Sequence, residues 1–255
     1  MPTPTPRDAI VAYLDELLEP AAFNDYGPNG LQVPGREEVR TVVTGVSANR
    51  ALIETAVAVE ADLILVHHGL FWSKQAQAID HLMAGRLRPL FLADVSLVAY
   101  HLPLDAHPEV GNNALLADAL ELTDRHAFAP HGGRDLGVAG TLPGDGLDPE
   151  AFAALVGEFC QPPVAFLHGP QRVRTVGIVS GGAADDVHLA AALGLDAFIT
   201  GEPAERSQGA AEEEGIHFLA AGHHATERFG VRRLGDLLAH RFGVEHRFVD
   251  IDNPV

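Results

Sequence analysis

Three short stretches of this chain gather side chains able to hold a metal ion: His67-His68, His101 with Asp105, and His223-His224 with Glu227. Imidazole and carboxylate together suit zinc, iron or manganese, whereas calcium and magnesium favour all-oxygen sites. His67-His68 follows directly on an apolar run, Asp62–Val66, that reads as a fully buried strand. In an open α/β sheet the functional crevice lies outside the carboxyl ends of the strands, which is where this pair falls. Adjacent residues on an extended backbone point in different directions, so neighbouring histidines would serve two different ions. His101 and Asp105 follow a second apolar run, Ser96–Tyr100, and His223 and Glu227 stand four apart where a last helix begins, on one face of it. Five or more ligands exceed what one tetrahedral site needs, which points to two metal ions. The competing explanation is coincidence in a chain with 14 histidines.

The elements that must position these residues alternate. Thr5-Pro6-Arg7-Asp8 reads as a helix start, with a capping hydroxyl, proline at the first helical position and an acid in the first turn. Ile10, Leu14, Leu17 and Leu18 then recur on one face. After a Gly/Asn/Pro loop from Asn24 to Gly35, the pattern predicts a strand at Thr41–Val46 and a helix at Arg50–Glu60. In the second half it predicts strands at Arg134–Leu142, Val164–Leu167, Val173–Val179, Ala197–Thr200 and His217–Ala221, with helices at Pro149–Phe159 and Thr226–Phe242. Strands alternating with helices indicate an α/β protein.

The two halves look related. Arg40-Thr41-Val42 matches Arg174-Thr175-Val176 at an offset of 134, and Ala61-Asp62-Leu63-Ile64 aligns with Leu195-Asp196-Ala197-Phe198 at the same offset. His101-x-x-x-Asp105 then corresponds to His223-x-x-x-Glu227 at 122, which implies about twelve extra residues in the first half near Ser73–Val95. The reading is an internal duplication. Its first lobe is placed at 1–126 rejoined by 218–255, with most of the metal ligands, and its second lobe at 127–217.

Composition narrows the partners. A net charge of −18, from 35 acidic and 17 basic side chains, repels phosphate backbones and anionic lipid. Anionic small substrates stay possible, because bound cations reverse the sign locally. The single cysteine, Cys160, rules out an intramolecular disulfide framework and reads as packing at an apolar helix end. Met1 to Pro6 shows no signal pattern and no apolar run approaches a membrane span, so a soluble cytoplasmic protein is expected.

The motifs Val66-His67-His68-Gly69-Leu70-Phe71-Trp72, His101-Leu102-Pro103-Leu104-Asp105-Ala106-His107 and Ala221-Gly222-His223-His224-Ala225-Thr226-Glu227 resemble the Nif-three-like family, also known as GTP cyclohydrolase I type 2. Asn29-Gly30-Leu31-Gln32-Val33 and Ile199-Thr200-Gly201-Glu202 match further blocks, so the resemblance spans nearly the whole chain. It corresponds to the short form, without the ferredoxin-like insertion of some members. The resemblance implies two similar, interlocked α/β lobes with a metal cleft between them, a dinuclear centre and a toroidal homohexamer. Carried over by motif, the metal ligands are His67, His68, Asp105, His223 and Glu227, with Asp105 or Glu227 bridging, and His101 lines the site. The second-copy counterparts of His67 and His68 are Gly201 and Glu202, so one strand-end pair alone keeps ligands there.

The function expected is a metal-dependent hydrolase of a small, nucleotide-like substrate, with two divalent ions (zinc, iron or manganese) and His101 or His224 carrying the proton. A metal store, chaperone or regulatory scaffold is the alternative; a DNA-associated role is opposed by the −18 charge. Ser180-Gly181-Gly182 lacks the full dinucleotide fingerprint and reads as a tight turn rather than an anion cradle. Phe71 and Trp72 could stack on a planar substrate, though burial or a subunit contact is the commoner role for such residues.

Overall fold

The computed structural model describes residues 4–75, 78–131 and 133–255; the first three residues of the leader reading lie outside them. The chain folds into two compact units, Met1–Leu104 with Gly230–Asp252, and Asp105–Phe229 with Asn253–Val255.

The first unit opens with β1 (Thr5–Pro6) and α1 (Arg7–Leu18), whose buried Ile10, Leu14 and Leu18 recur every four residues along one face. The expected capping hydroxyl is not used: Pro6 occupies the cap without a side-chain bond, and Thr5 Oγ1 donates to the Phe242 carbonyl instead. The reason is that β1 is drawn into a two-stranded ladder, described below, which turns Thr5 away from the helix. Next come β2 (Gly30–Val33), β3 (Glu38–Val39), β4 (Thr41–Ser47), α2 (Arg50–Ala58), β5 (Leu63–His68), α3 (His81–Ala93), β6 (Ser96–Ala99) and α4 (Leu102–Asp105). β1 pairs antiparallel with β3. Asn49 and Asp80 cap α2 and α3 by accepting from Leu52 N and Met83 N, as short polar side chains do at helix starts. Both helices bury Leu, Ile and Ala against the strands, and Leu52, Ile53, Ile64, Val66, Leu90 and Leu97 centre this core.

The second unit contains α5 (Asn112–Ala119), β7 (Thr123–His131), β8 (Arg134–Thr141), α6 (Pro149–Phe159), β9 (Val164–Leu167), β10 (Thr175–Ile178), α7 (Val187–Ala192), β11 (Ala197–Thr200), α8 (Ser207–Glu214), β12 (His217–Ala220) and α9 (His223–Thr226). The chain then returns along α10 (Arg228–Phe242) to β13 (Glu245–Phe248), which joins the first unit's sheet. That sheet has the order β13-β4-β5-β6-β2 and the second unit's sheet the order β7-β8-β10-β11-β12-β9.

The duplication is visible strand by strand. β4, β5 and β6 run parallel with β2 antiparallel outside them; β10, β11 and β12 run parallel with β9 antiparallel outside them. Val42 pairs with Leu63 and Val176 with Ala197, both shifted by the same 134 residues. Asp62 accepts from the backbone N–H groups of Arg40 and Thr41, and Asp196 from those of Arg174 and Thr175. In each copy a buried or half-buried carboxylate therefore ties the start of one strand to the next. The third strands are related by 121, since Leu63 pairs with Ser96 and Ala197 with His217. The surplus in the first copy lies between β5 and β6, where the longer α3 replaces the shorter α8.

The units divide at Leu104 and Phe229, whereas the sequence places the boundaries at 126 and 218. The physical reason is hydrogen bonding: β12 is an interior strand of the second sheet, and β7 is paired along its length to β8, so both belong with residues 127–217. Among the described residues no helix is long and apolar enough to cross a membrane.

Candidate metal centre

His67 and His68 are the last two residues of β5 rather than the first two after it, and Ser47 pairs with His68 across the β4–β5 ladder. Two protein oxygens set their rings. Nδ1 of the buried His67 donates to the Tyr100 carbonyl at 3.0 Å, and Nδ1 of His68 is 3.0 Å from Ser47 Oγ. The two imidazoles do not splay to opposite faces as an extended backbone suggests; their centroids are 4.6 Å apart. His101, just past β6, completes a triangle, 4.9 Å from the His67 ring and 5.5 Å from the His68 ring. One ring nitrogen from each of the three lies within 4.8 Å of the others, a grouping able to hold a metal ion.

His101 is itself held by residues from the loop before β2. Its Nδ1 donates to Asp25 Oδ1 at 2.6 Å, and its backbone N–H donates to Asn29 Oδ1 at 2.7 Å. The other Asp25 oxygen accepts from Asn29 Nδ2 and the Leu102 N–H. Burial pushes the Asp25 carboxyl up, but the bonds from His101, Asn29 and the Tyr26 N–H outweigh it and hold it below the usual aspartate value. Sequence reasoning marked Asn24 to Gly35 as a loop but gave Asp25 no role; an acid 76 residues from its histidine leaves no periodic trace.

In the second unit, Asp105, His223 and Glu227 come together. A carboxylate oxygen of Asp105 lies within 4.8 Å of one of Glu227, and Glu227 Oε1 is 3.2 Å from His223 Nε2. Asp105 Oδ1 accepts from Asn112 Nδ2 at 2.8 Å and from Ser180 Oγ at 3.2 Å, which fixes its plane. His223 and Glu227 keep their four-residue spacing even though the helix breaks at Glu227 and restarts as α10. The His223 Nδ1 donates to Glu202 Oε1 at 2.5 Å. Burial lowers the proton affinity of His223, but the carboxylates of Glu227 and Glu202 prevail and raise its pKa to about 9.

Two glycines make this approach possible. At Gly181, which has φ +70°, a Cβ would stand 2.3 Å from Glu227 Oε1. At Gly201 a Cβ would stand 2.5 Å from the Cα of His223. Ser180-Gly181-Gly182 is thus a tight turn, as read from the sequence, with the Gly181 N–H spent on Thr226 Oγ1. His224 lies on the same helical turn as His223 but outside the grouped residues; its backbone N–H donates to the Val255 carbonyl. Cys160 is inert as a nucleophile, since burial pushes its thiol up to about 12.

Within each unit the grouped side chains, imidazoles whose Nδ1 is anchored and, in the second unit, carboxylates, are donor types that suit a zinc-, iron- or manganese-type ion. The Duf34/NIF3 (NGG1p interacting factor 3) family profile matches residues 5–254. The chain belongs to this family. Among its relatives, the GTP cyclohydrolase 1 type 2 homolog of Pasteurella multocida is 46% identical over 243 residues, covering 94% of this chain and 96% of the relative. Two solved structures of similar length share the fold. One is the protein ybgI, described as of unknown function, with TM-score 0.92 and 39% identity over 98% of this chain and 100% of that one. The other is TTHA1606 from Thermus thermophilus, with TM-score 0.88 and 37% identity over the same shares of the two chains. Membership in the NIF3 family thus accompanies motifs that the sequence already singled out as metal-binding.

Proposed function

We propose that the chain holds two divalent metal ions, with zinc, iron and manganese as candidates, through His67, His68, Asp105, His223 and Glu227. We propose further that it hydrolyses a small, nucleotide-like substrate. The observation that carries the reading is the shared orientation of the imidazoles. Nδ1 of the three proposed histidine ligands, His67, His68 and His223, engages the Tyr100 carbonyl, Ser47 Oγ and Glu202 respectively. Metal-ligating histidines are held this way, with one nitrogen on a protein acceptor and the other presented to the ion. When bound, two such ions supply Lewis acidity and a water made acidic enough to attack near neutral pH.

The chain's own residues do the remainder. His101 takes or returns a proton at Nε2, and Asp25 steadies the charged imidazole that results, as a buried carboxylate does for a general base. Asn112 and Ser180 hold the Asp105 carboxylate in one plane. The names of the relatives support a reaction of the GTP cyclohydrolase type. Exposed Ile79, Leu82, Phe91 and Leu92, in and before α3, support assembly with further copies, with a toroidal homohexamer as the form proposed.

The test is metal analysis of protein purified without added metal, beside the His68→Ala variant. About two ions per chain, falling in the variant, is the expected result. No bound metal after reconstitution with zinc, iron and manganese refutes the centre. His101→Ala should then keep its metal and lose turnover; bound metal with no turnover in the parent either would mark the protein as a metal store or scaffold.

A further inference from the structure

The chain has one tryptophan and one lysine, Trp72 and Lys74, two residues apart in sequence, and the Trp72 ring lies beside the histidine cluster. Trp72 is perpendicular to the His101 ring at 5.2 Å and lies 5.8 Å from the His68 ring. Tyr26, 47% exposed, lies 6.0 Å from the same His101 ring. Two backbone bonds fix this arrangement: Ser73 N–H donates to the Tyr26 carbonyl at 2.7 Å, and Gln75 N–H closes a turn onto the Trp72 carbonyl at 3.0 Å. The loop carrying Tyr26 is further tied down through Asp25 and Asn29. Trp72 is half-buried and Lys74 exposed, and none of the ion pairs among the described residues uses Lys74. The Asp25 carboxylate is already committed to His101, Asn29 and two backbone N–H groups, so it offers little to a ligand cation.

We propose that Trp72, Tyr26 and Lys74 form a ligand subsite for a planar ring that carries an anionic group, the chemistry of a nucleotide. The inference rests on the proposed hydrolase reading and names the residues that would select its substrate. Trp72 and Tyr26 supply π surfaces on which any base can stack. Lys74 supplies the positive charge a phosphate needs in a chain of net charge −18, where most of the surface repels it. A neutral ring would gain from the first feature alone and a free phosphate from the second alone. Selectivity comes from requiring both.

Because Trp72 is the only tryptophan, its fluorescence reports the subsite directly. Metal-loaded protein is titrated with GTP, ATP and UTP, with guanosine as the ring without the anion, exciting at the red edge of the indole absorption. Triphosphates should change the signal saturably, and guanosine should need about tenfold more ligand, the ratio expected for one lost charge-assisted contact. Lys74→Met should weaken GTP by about tenfold, to the level of guanosine, and leave guanosine unchanged. Tyr26→Ala, checked for folding by circular dichroism, should weaken both ligands. The proposal is overturned if no triphosphate changes the signal. It is equally overturned if Lys74→Met leaves GTP affinity intact or weakens guanosine as much. Metal content measured on the same samples separates the two readings: bound metal with a silent Trp72 defeats the subsite alone, and nucleotide binding without metal defeats the centre alone.

Discussion

Glu202 offers the sharpest test of how the second unit prepares its ligands. It accepts the Nδ1 proton of His223 at 2.5 Å, while Glu227 faces Nε2 at 3.2 Å. Together they raise the His223 pKa to about 9. A metal ion at Nε2 must displace the proton carried there, so at pH 7 the apparent affinity should be roughly a hundredfold below its limit above pH 9. Glu202→Gln keeps an acceptor for Nδ1 but removes one of the two charges. Losing such a supporting contact typically costs about 10–100-fold in metal affinity, and above pH 9 the full loss should appear. At pH 7 the loss should be smaller, because the same substitution weakens the competing proton. The variant's log affinity should therefore rise less steeply between pH 7 and 9 than that of the parent. Competition with a chromophoric chelator across this range measures both quantities. Affinity within twofold of the parent at every pH, with the same slope, would refute the reasoning.

The remaining predictions follow from geometry already described. Gly201→Ala puts a methyl 2.5 Å from the His223 Cα and should cost about 1–3 kcal/mol of stability, read by urea denaturation, along with metal affinity. Asp25→Ala should lower turnover while metal content stays at the parent level, since Asp25 touches His101 and none of the five proposed ligands is bonded to it. Asp62→Asn and Asp196→Asn each disturb two backbone N–H bonds and should each cost about 1–3 kcal/mol. Asp62→Asn should cost more, because Arg36 also pairs with that carboxylate, and calorimetry would show the order. In metal-free protein the raised His223 pKa stabilises the fold fully below pH 6.5, and this stability is lost as pH rises through about 9. A chemical-denaturation series in chelator should show the decline.

The sequence made the parallel strands legible because β4, β5, β10, β11 and β12 are short apolar runs bounded by turn residues. It also carried the duplication, since Asp62 and Asp196 mark the same backbone contact in each copy. α3 escaped because Leu87 and Leu90 face inward while Leu82, Phe91 and Leu92 face outward, which erases the helical period, and Pro89 interrupts it further. β7 escaped because its first half is polar and exposed, and its pairing to β8 is decided by the partner strand. The candidate ligands that the structure groups were named from their spacing along the chain. Their supports were not: Asp25, Ser47, Asn112 and Glu202 are 76, 21, 7 and 21 residues from the side chains they hold, and only tertiary structure pairs them.

Gly201 and Glu202 occupy, in the second copy, the places that His67 and His68 hold in the first. The backbone of His223 fills the space a side chain at 201 would need, and Glu202 is committed to its ring. Changing both codons to histidine would not by itself restore the pair, because a side chain at 201 would collide with the His223 backbone and the loss of Glu202 would release the His223 ring.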